Sequence, residues 1–137
     1  MFLIKDLVAF ARWWIPPPSS PDYVVIESDA DGMRSDSLRR SLEAREGKDE
    51  APRLMYINPT GANPTGTVMS AKRKKEIYDI CCEYDILILE DDPYFYLQLC
   101  EEKTPSIWSM DHEGRVLRFD SFSKILGWEK MQQRMLV

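Results

Sequence analysis

ILILEDDPY, residues 86–94, sets four consecutive apolar residues directly before three carboxylates and a Pro-Tyr turn. A short unbroken apolar run is what a strand buried on both faces needs, so the stretch reads as an interior strand of a sheet. The segment before it, residues 71–84, spaces Ile77, Ile80, Cys81 and Tyr84 as one stripe of a helix, with Ser70 placed to cap it. Further upstream, RLMYI (53–57) is a strand candidate that runs into NPTGANPTG (58–66), the same tetrapeptide twice with one Ala between. Asn-Pro-Thr-Gly is a good turn sequence.

Working outward, YVVIE (23–27) is a short β-branched run, DADGM (29–33) a turn, and SDSLRRSLEA (35–44) a helix. In that helix Ser35 can cap, Asp36 sits in the first turn, and Leu38 and Leu42 share a face. EGKDEAP (46–52) is a polar loop. Downstream, residues 92–99 form a turn and a short aromatic element, and RVLRF (115–119) is a strand ending in DSFSK (120–124). Strands alternating with helices give an α/β protein with a mostly parallel sheet. The start, MFLIKDLVAFARWWIPPP, reads as a short amphipathic helix stopped by Pro16, Pro17 and Pro18. PPPSSPD (16–22) is linker-like.

The chain has 137 residues, 44% apolar and 30% charged, which suits one domain with a packed core. A net charge of −5 argues against a nucleic-acid partner held through its phosphates. The one basic run, Lys72-Arg73-Lys74-Lys75, reads as the solvated face of a helix. No stretch of about 20 apolar residues is present, so no membrane span is expected. Cys81 and Cys82 are adjacent and Cys100 stands apart. That pattern suits neither a metal site nor an ordinary disulfide, so no metal is expected and reduced thiols in a cytoplasmic setting are, with the mitochondrion left open.

Three strand candidates each end in a polar cluster: NPTGANPTG after 53–57, EDDPY after 85–89, and DSFSK after 115–119. Ligands of open parallel sheets sit outside the carboxyl ends of the strands, so the three clusters converge if the strands are neighbours. Together they hold Asn63, Asp91, Tyr94, Ser121, Ser123 and Lys124. Read singly each is ordinary: a lysine after a strand is solvated, paired aspartates open a turn, and Tyr-Phe-Tyr packs. Jointly they offer an amine that can bond a carbonyl, a carboxylate for a ring nitrogen, donors for a phenolate oxygen, and hydroxyls for a phosphate. That is the donor set pyridoxal 5′-phosphate demands.

NPTGTVMSAKRKKEIYDICCEYDILILEDDPYFYLQL and SMDHEGRVLRFDSFSKIL resemble the class I/II aminotransferases of pyridoxal-phosphate fold type I, nearest the aminoadipate/kynurenine and aromatic branch. The resemblance spans roughly residues 23–126. It implies the three-layer α/β/α large domain, truncated at both ends, with 1–22 unassigned and 127–137 a divergent tail. It implies that Lys124 is the cofactor lysine and proton shuttle, that Asp91 pairs with the pyridine nitrogen, and that Tyr94 and Asn63 bond the ring oxygen. Ser121 and Ser123 would lie at the phosphate. Transfer of an amino group between an amino acid of the aromatic, kynurenine or aminoadipate class and a 2-oxo acid follows, in a homodimer. The second tetrapeptide, 63–66, fits the family position, and the first reads as a turn that delivers it. Met131 stands where the family's phosphate-clamping arginine is expected, with Arg134 three residues late. The alternative implied by that departure is a non-catalytic chain that associates with a full-length aminotransferase subunit.

Overall fold

The computed structural model describes residues 2–4, 23–48, 51–62, 64–99 and 102–121. Its centre is a five-stranded sheet built from β1 (Phe2–Ile4), β2 (Tyr23–Val25), β5 (Leu54–Ile57), β6 (Leu87–Asp91) and β7 (Val116–Phe119), in the order β2-β1-β5-β6-β7. β5 and β7 both run parallel to β6, whereas β1 pairs antiparallel with β2 and β5. The α/β class with a parallel centre is therefore present, and the sheet becomes mixed at its β1 side. A two-stranded ribbon, β3 (Ser28–Asp29) and β4 (Gly32–Met33), leads into helix α1 (Ser35–Glu43). Helix α2 (Ala71–Glu83) makes the crossover from β5 to β6.

Phe2–Ile4 is a strand, not the start of the amphipathic helix expected there. An isolated helix of about four turns is marginal in water, whereas the free edges of β2 and β5 offer ladder bonds to any extended apolar segment. The remainder of that expected helix lies outside the described residues.

Both helices follow their apolar periodicity. Leu38 and Leu42 of α1 are buried four residues apart, and Ile77, Ile80 and Cys81 of α2 meet them and the sheet residues Met55, Ile57 and Ile88 in one core. Arg39 clamps Glu83 with two bonds of 2.8 and 2.7 Å, tying α1 to α2. Ser70 caps α2 as expected, its hydroxyl accepting from the Arg73 amide at 3.2 Å. Ser35 does not cap α1: Arg34 occupies the cap position, and the Ser35 hydroxyl donates instead to Glu76 of α2 at 2.8 Å. A tertiary partner has taken the side chain that local pattern assigned to the backbone.

α2 ends without glycine. Asp85 adopts φ +54°, the Ile86 amide donates to Cys81 at 2.8 Å and the Asp85 amide to Cys82 at 3.4 Å. This is a Schellman closure with aspartate in the left-handed position, which a short polar side chain tolerates. It turns the chain directly into β6.

β6 is buried on its helix-covered face, at Ile88 and Glu90, and on only part of the other. One face of the sheet carries the helices. The other carries Leu54, Tyr56, Leu87, Leu89, Asp91, Leu117 and Phe119, with no helix over it among the described residues. Leu54 and Leu89 are buried there, whereas Leu87 is 41% exposed and Leu117 and Phe119 are exposed as well.

Candidate active site

β5, β6 and β7 are adjacent and parallel, with Ile57 opposite Glu90 and Asp91 opposite Phe119. Their carboxyl ends therefore deliver the turn at 58–62, the Asp91–Tyr94 segment and Asp120–Ser121 to one end of the sheet, as the three-cluster reading expected. Asn63, Ser123 and Lys124 lie outside the described residues, as do Met131, Arg134 and Cys100.

Asp91 is the last residue of β6 and is half-buried. The Tyr56 hydroxyl donates to its Oδ2 at 2.5 Å, and its Oδ1 takes no hydrogen bond among the described residues. Burial, and then the bond to Asp91, hold the Tyr56 phenol above its ordinary range, so Tyr56 stays a donor. A carboxylate fixed through one oxygen and open at the other suits a cationic ring N–H. Tyr56 was not among the sequence candidates. Its signal was present, since it is the one polar-tipped residue of LMYI and lies on the face of Asp91 once the strands are in register.

Tyr94 follows one turn later. Gly61, at φ +62°, sits so close that a Cβ there would stand 3.3 Å from Tyr94 Cβ. The first tetrapeptide thus needs its glycine twice, for the left-handed backbone and for the approach of the tyrosine. It also folds back on the chain that follows, with the Met69 amide donating to Pro59 at 2.9 Å and Thr60 bridging to Val68. The residues of the second copy that are described, Pro64 to Gly66, are exposed. Asp120 and Ser121 begin the third cluster, the Ser121 amide donating to the Asp120 carboxylate at 3.2 Å. A cavity of about 410 Å³ opens beside the first turn, lined by Thr60, Gly61, Val68, Tyr94, Leu97, Gln98 and Leu99.

Behind these groups, on the helix-covered face, lies a set of buried charges that the sequence reading did not anticipate. Glu90 is fully buried and accepts from the Ile107 and Trp108 amides at 2.7 and 2.9 Å. Lys74 is also fully buried, its Nζ donating to Thr104 Oγ1 at 3.0 Å and Pro105 O at 2.8 Å. The basic run is therefore not one solvated face. Lys72 and Lys75 are exposed, but Lys74 points inward, and Arg73 turns back to Asp29 and the Met33 carbonyl. A helix that carries four basic residues in succession must aim some of them at its neighbours. Asp92, fully buried, accepts from Thr60 Oγ1 at 3.2 Å. Burial pushes its carboxyl up to about 6, Glu90 adds to the rise, and Thr60, Lys74 and Arg118 oppose it. Burial likewise lowers Lys74, against the pull of Asp92 and Glu90. Among the described residues no group of three or more His, Cys, Asp or Glu side chains could hold a metal, and no helix is long and apolar enough to cross a membrane.

No family model matches the chain. The mitochondrial kynurenine/α-aminoadipate aminotransferase of Bos taurus is 41% identical over 115 residues, 80% of this chain and 27% of that protein. An aromatic amino acid aminotransferase of Dictyostelium discoideum is 40% identical over 122 residues, 82% of this chain and 25% of its own length. Among solved structures, the kynurenine aminotransferase of Pyrococcus horikoshii, in complex with PMP, superposes with a TM-score of 0.70 at 33% identity, over 74% of this chain and 25% of that one. The chain belongs to the fold-type I aminotransferases.

It spans about a quarter of the length of these relatives, and the matched part is the large domain. The relatives are transaminases, and this family works with pyridoxal phosphate.

Proposed function

We propose that this chain carries the cofactor-facing strand ends of a pyridoxal-phosphate aminotransferase. The reaction is transfer of an amino group between an amino acid of the aromatic, kynurenine or aminoadipate class and a 2-oxo acid. The observation that supports it most is Asp91, held at the carboxyl end of the central strand by Tyr56, with its second oxygen unbonded among the described residues. The donor set read from the sequence suits the cofactor, and the described members Asp91, Tyr94 and Ser121 stand at one end of the sheet. Asp91 would hold the pyridine nitrogen in its protonated form, Tyr94 and Asn63 would bond the ring oxygen, Ser121 and Ser123 would meet the phosphate, and Lys124 would hold the cofactor and move the proton. When bound, pyridoxal phosphate supplies the electron sink that makes the substrate's α-proton removable. With the cofactor bound, the polypeptide would orient the ring and keep its nitrogen charged, and the Lys124 amine would carry the proton.

The substrate class comes from the relatives, whose names join kynurenine, α-aminoadipate and aromatic amino acids. A homodimer is part of the same reading.

The test is incubation of the full chain with pyridoxal phosphate, borohydride reduction and peptide mapping. One adduct on Lys124, abolished by Lys124→Ala, is the expected result. Scattered labelling of surface lysines, or none, would favour the non-catalytic alternative, in which the chain acts by association with a full-length subunit.

A further inference from the structure

Asp92 touches all three strand ends at once. Its amide donates to Phe119 O of β7 at 3.0 Å, its carbonyl accepts from the Phe95 amide at 3.2 Å, and its Oδ2 accepts from Thr60 Oγ1 at 3.2 Å. Its other oxygen, Oδ1, is buried with no hydrogen-bond partner among the described residues. A buried carboxylate left half-satisfied is costly to the fold, and burial outweighs the pull of Lys74 and Arg118 on it. Stability alone therefore gives little reason for a carboxylate here.

We infer that Thr60 and Asp92 form a positioning pair: their bond presses the 58–61 turn onto Tyr94 and so sets Asp91 and Tyr94 toward the cofactor side of the sheet end. Three contacts carry the inference. Thr60 is 2% exposed and its hydroxyl donates to the Asp92 carboxylate. Gly61, the next residue, lies against the Tyr94 ring, so a displaced turn releases that ring. Asp91 precedes Asp92 directly, on the opposite face of β6, so rotation of one peptide moves both carboxylates. The first tetrapeptide then has a role of its own, distinct from delivering the second. The consequence for cofactor rests on the function proposed above, whereas the coupling between turn and strand end does not.

Residue-resolved amide exchange on the cofactor-free chain tests the coupling. Thr60→Val keeps the shape and removes the hydroxyl, and Thr60→Ser keeps the hydroxyl. Expected is an acceleration of about tenfold in Thr60→Val at Ala62 and Met69 in the turn and at Asp92 and Phe95 on the strand side. The helical amides of 76–81 should stay unchanged, and Thr60→Ser should remain within about twofold of the parent. In an Asp92→Ala background, Thr60→Val should add less than about twofold, because the same bond is already gone. Acceleration confined to Ala62 and Met69, or spread evenly into α1 and α2, would overturn the inference. So would equal behaviour of the Val and Ser variants. Pyridoxal phosphate titrated into the same variants then reads the consequence, with an expected loss of about tenfold in affinity for Thr60→Val and none for Thr60→Ser. If the parent chain takes up no pyridoxal phosphate while the local exchange pattern holds, the proposed function fails and the positioning pair stands.

Discussion

Asp91 and Asp92 are neighbours in sequence and differ in everything else. Asp91 ends a strand on the open face, bonded to a tyrosine; Asp92 points the other way into a buried set of charges. Alternation along a strand is enough to separate them, but only the pairing register says which one meets Tyr56. Asp91 was legible because its motif names it. Tyr56 was not, because its partner stands 35 residues away on another strand. Tyr56→Phe removes the bond that fixes Asp91. Pyridoxal phosphate should then bind roughly five- to tenfold more weakly, in keeping with one charge-assisted hydrogen bond at a half-exposed site. A fluorescence titration reads this directly, and unchanged affinity would mean that other contacts orient Asp91.

Helix α2 shows what a single element can and cannot tell. Its cap, its apolar stripe and nearly its full length follow from residues 70–84 alone. The fate of its four basic residues does not. Lys72 and Lys74 belong to the same run, yet one is exposed and the other holds the 104–105 segment from inside. The contrast gives a clean experiment. Lys72→Met should change unfolding free energy by less than about 0.5 kcal/mol. Lys74→Met should cost about 2–4 kcal/mol, since it leaves Asp92 and Glu90 without their buried cation and Thr104 and Pro105 without a donor. Urea denaturation of the two variants side by side measures both. Similar values would return Lys74 to the solvated face. The end of α2 carries a related lesson. Asp85 closes the helix in a left-handed conformation with no glycine to announce it, and Arg115 of a later loop bonds its carboxylate at 2.7 Å.

Across the whole molecule the carboxylates fall into two groups with opposite responses to pH. Asp29, Asp36, Glu83 and Glu113 are held below their ordinary range chiefly by hydrogen bonds from Arg73, Arg34, Arg39 and Arg115. Asp111 is lowered too, by the Val116, Arg115 and Glu113 amides and the Tyr78 hydroxyl acting against its burial. Each favours the folded state above its unfolded pKa, and that contribution is lost as pH falls through the folded value. Asp92 has the reverse sign. Its folded state binds a proton more readily than the unfolded chain, so its burden on stability is absent below about 4, grows as pH rises, and is complete above about 6. The parent should therefore lose stability on acidification, and Asp92→Asn should gain on the parent between pH 4 and 6, then hold level. Thermal unfolding across pH 3.5–8 checks it. A constant difference between the two proteins would place the Asp92 carboxyl in the ordinary range.

The sequence by itself determined the alternation of strands and helices from residue 23 onward, the Ser70 cap and the apolar stripes, and the motif residues that mark the family. These are properties of neighbours a few residues apart, where backbone geometry and periodicity act without help. Only the tertiary structure decided what depends on pairing across the sheet. It drew Phe2–Ile4 into a strand, because a free edge offers bonds that a short helix cannot match. It left Leu87, Leu117 and Phe119 exposed on one face of β6 and β7, gave Asp91 its tyrosine, and buried Lys74, Glu90 and Asp92 together. The free energies involved arise between segments brought from 30 or more residues apart, and a local pattern holds no record of which segments will meet.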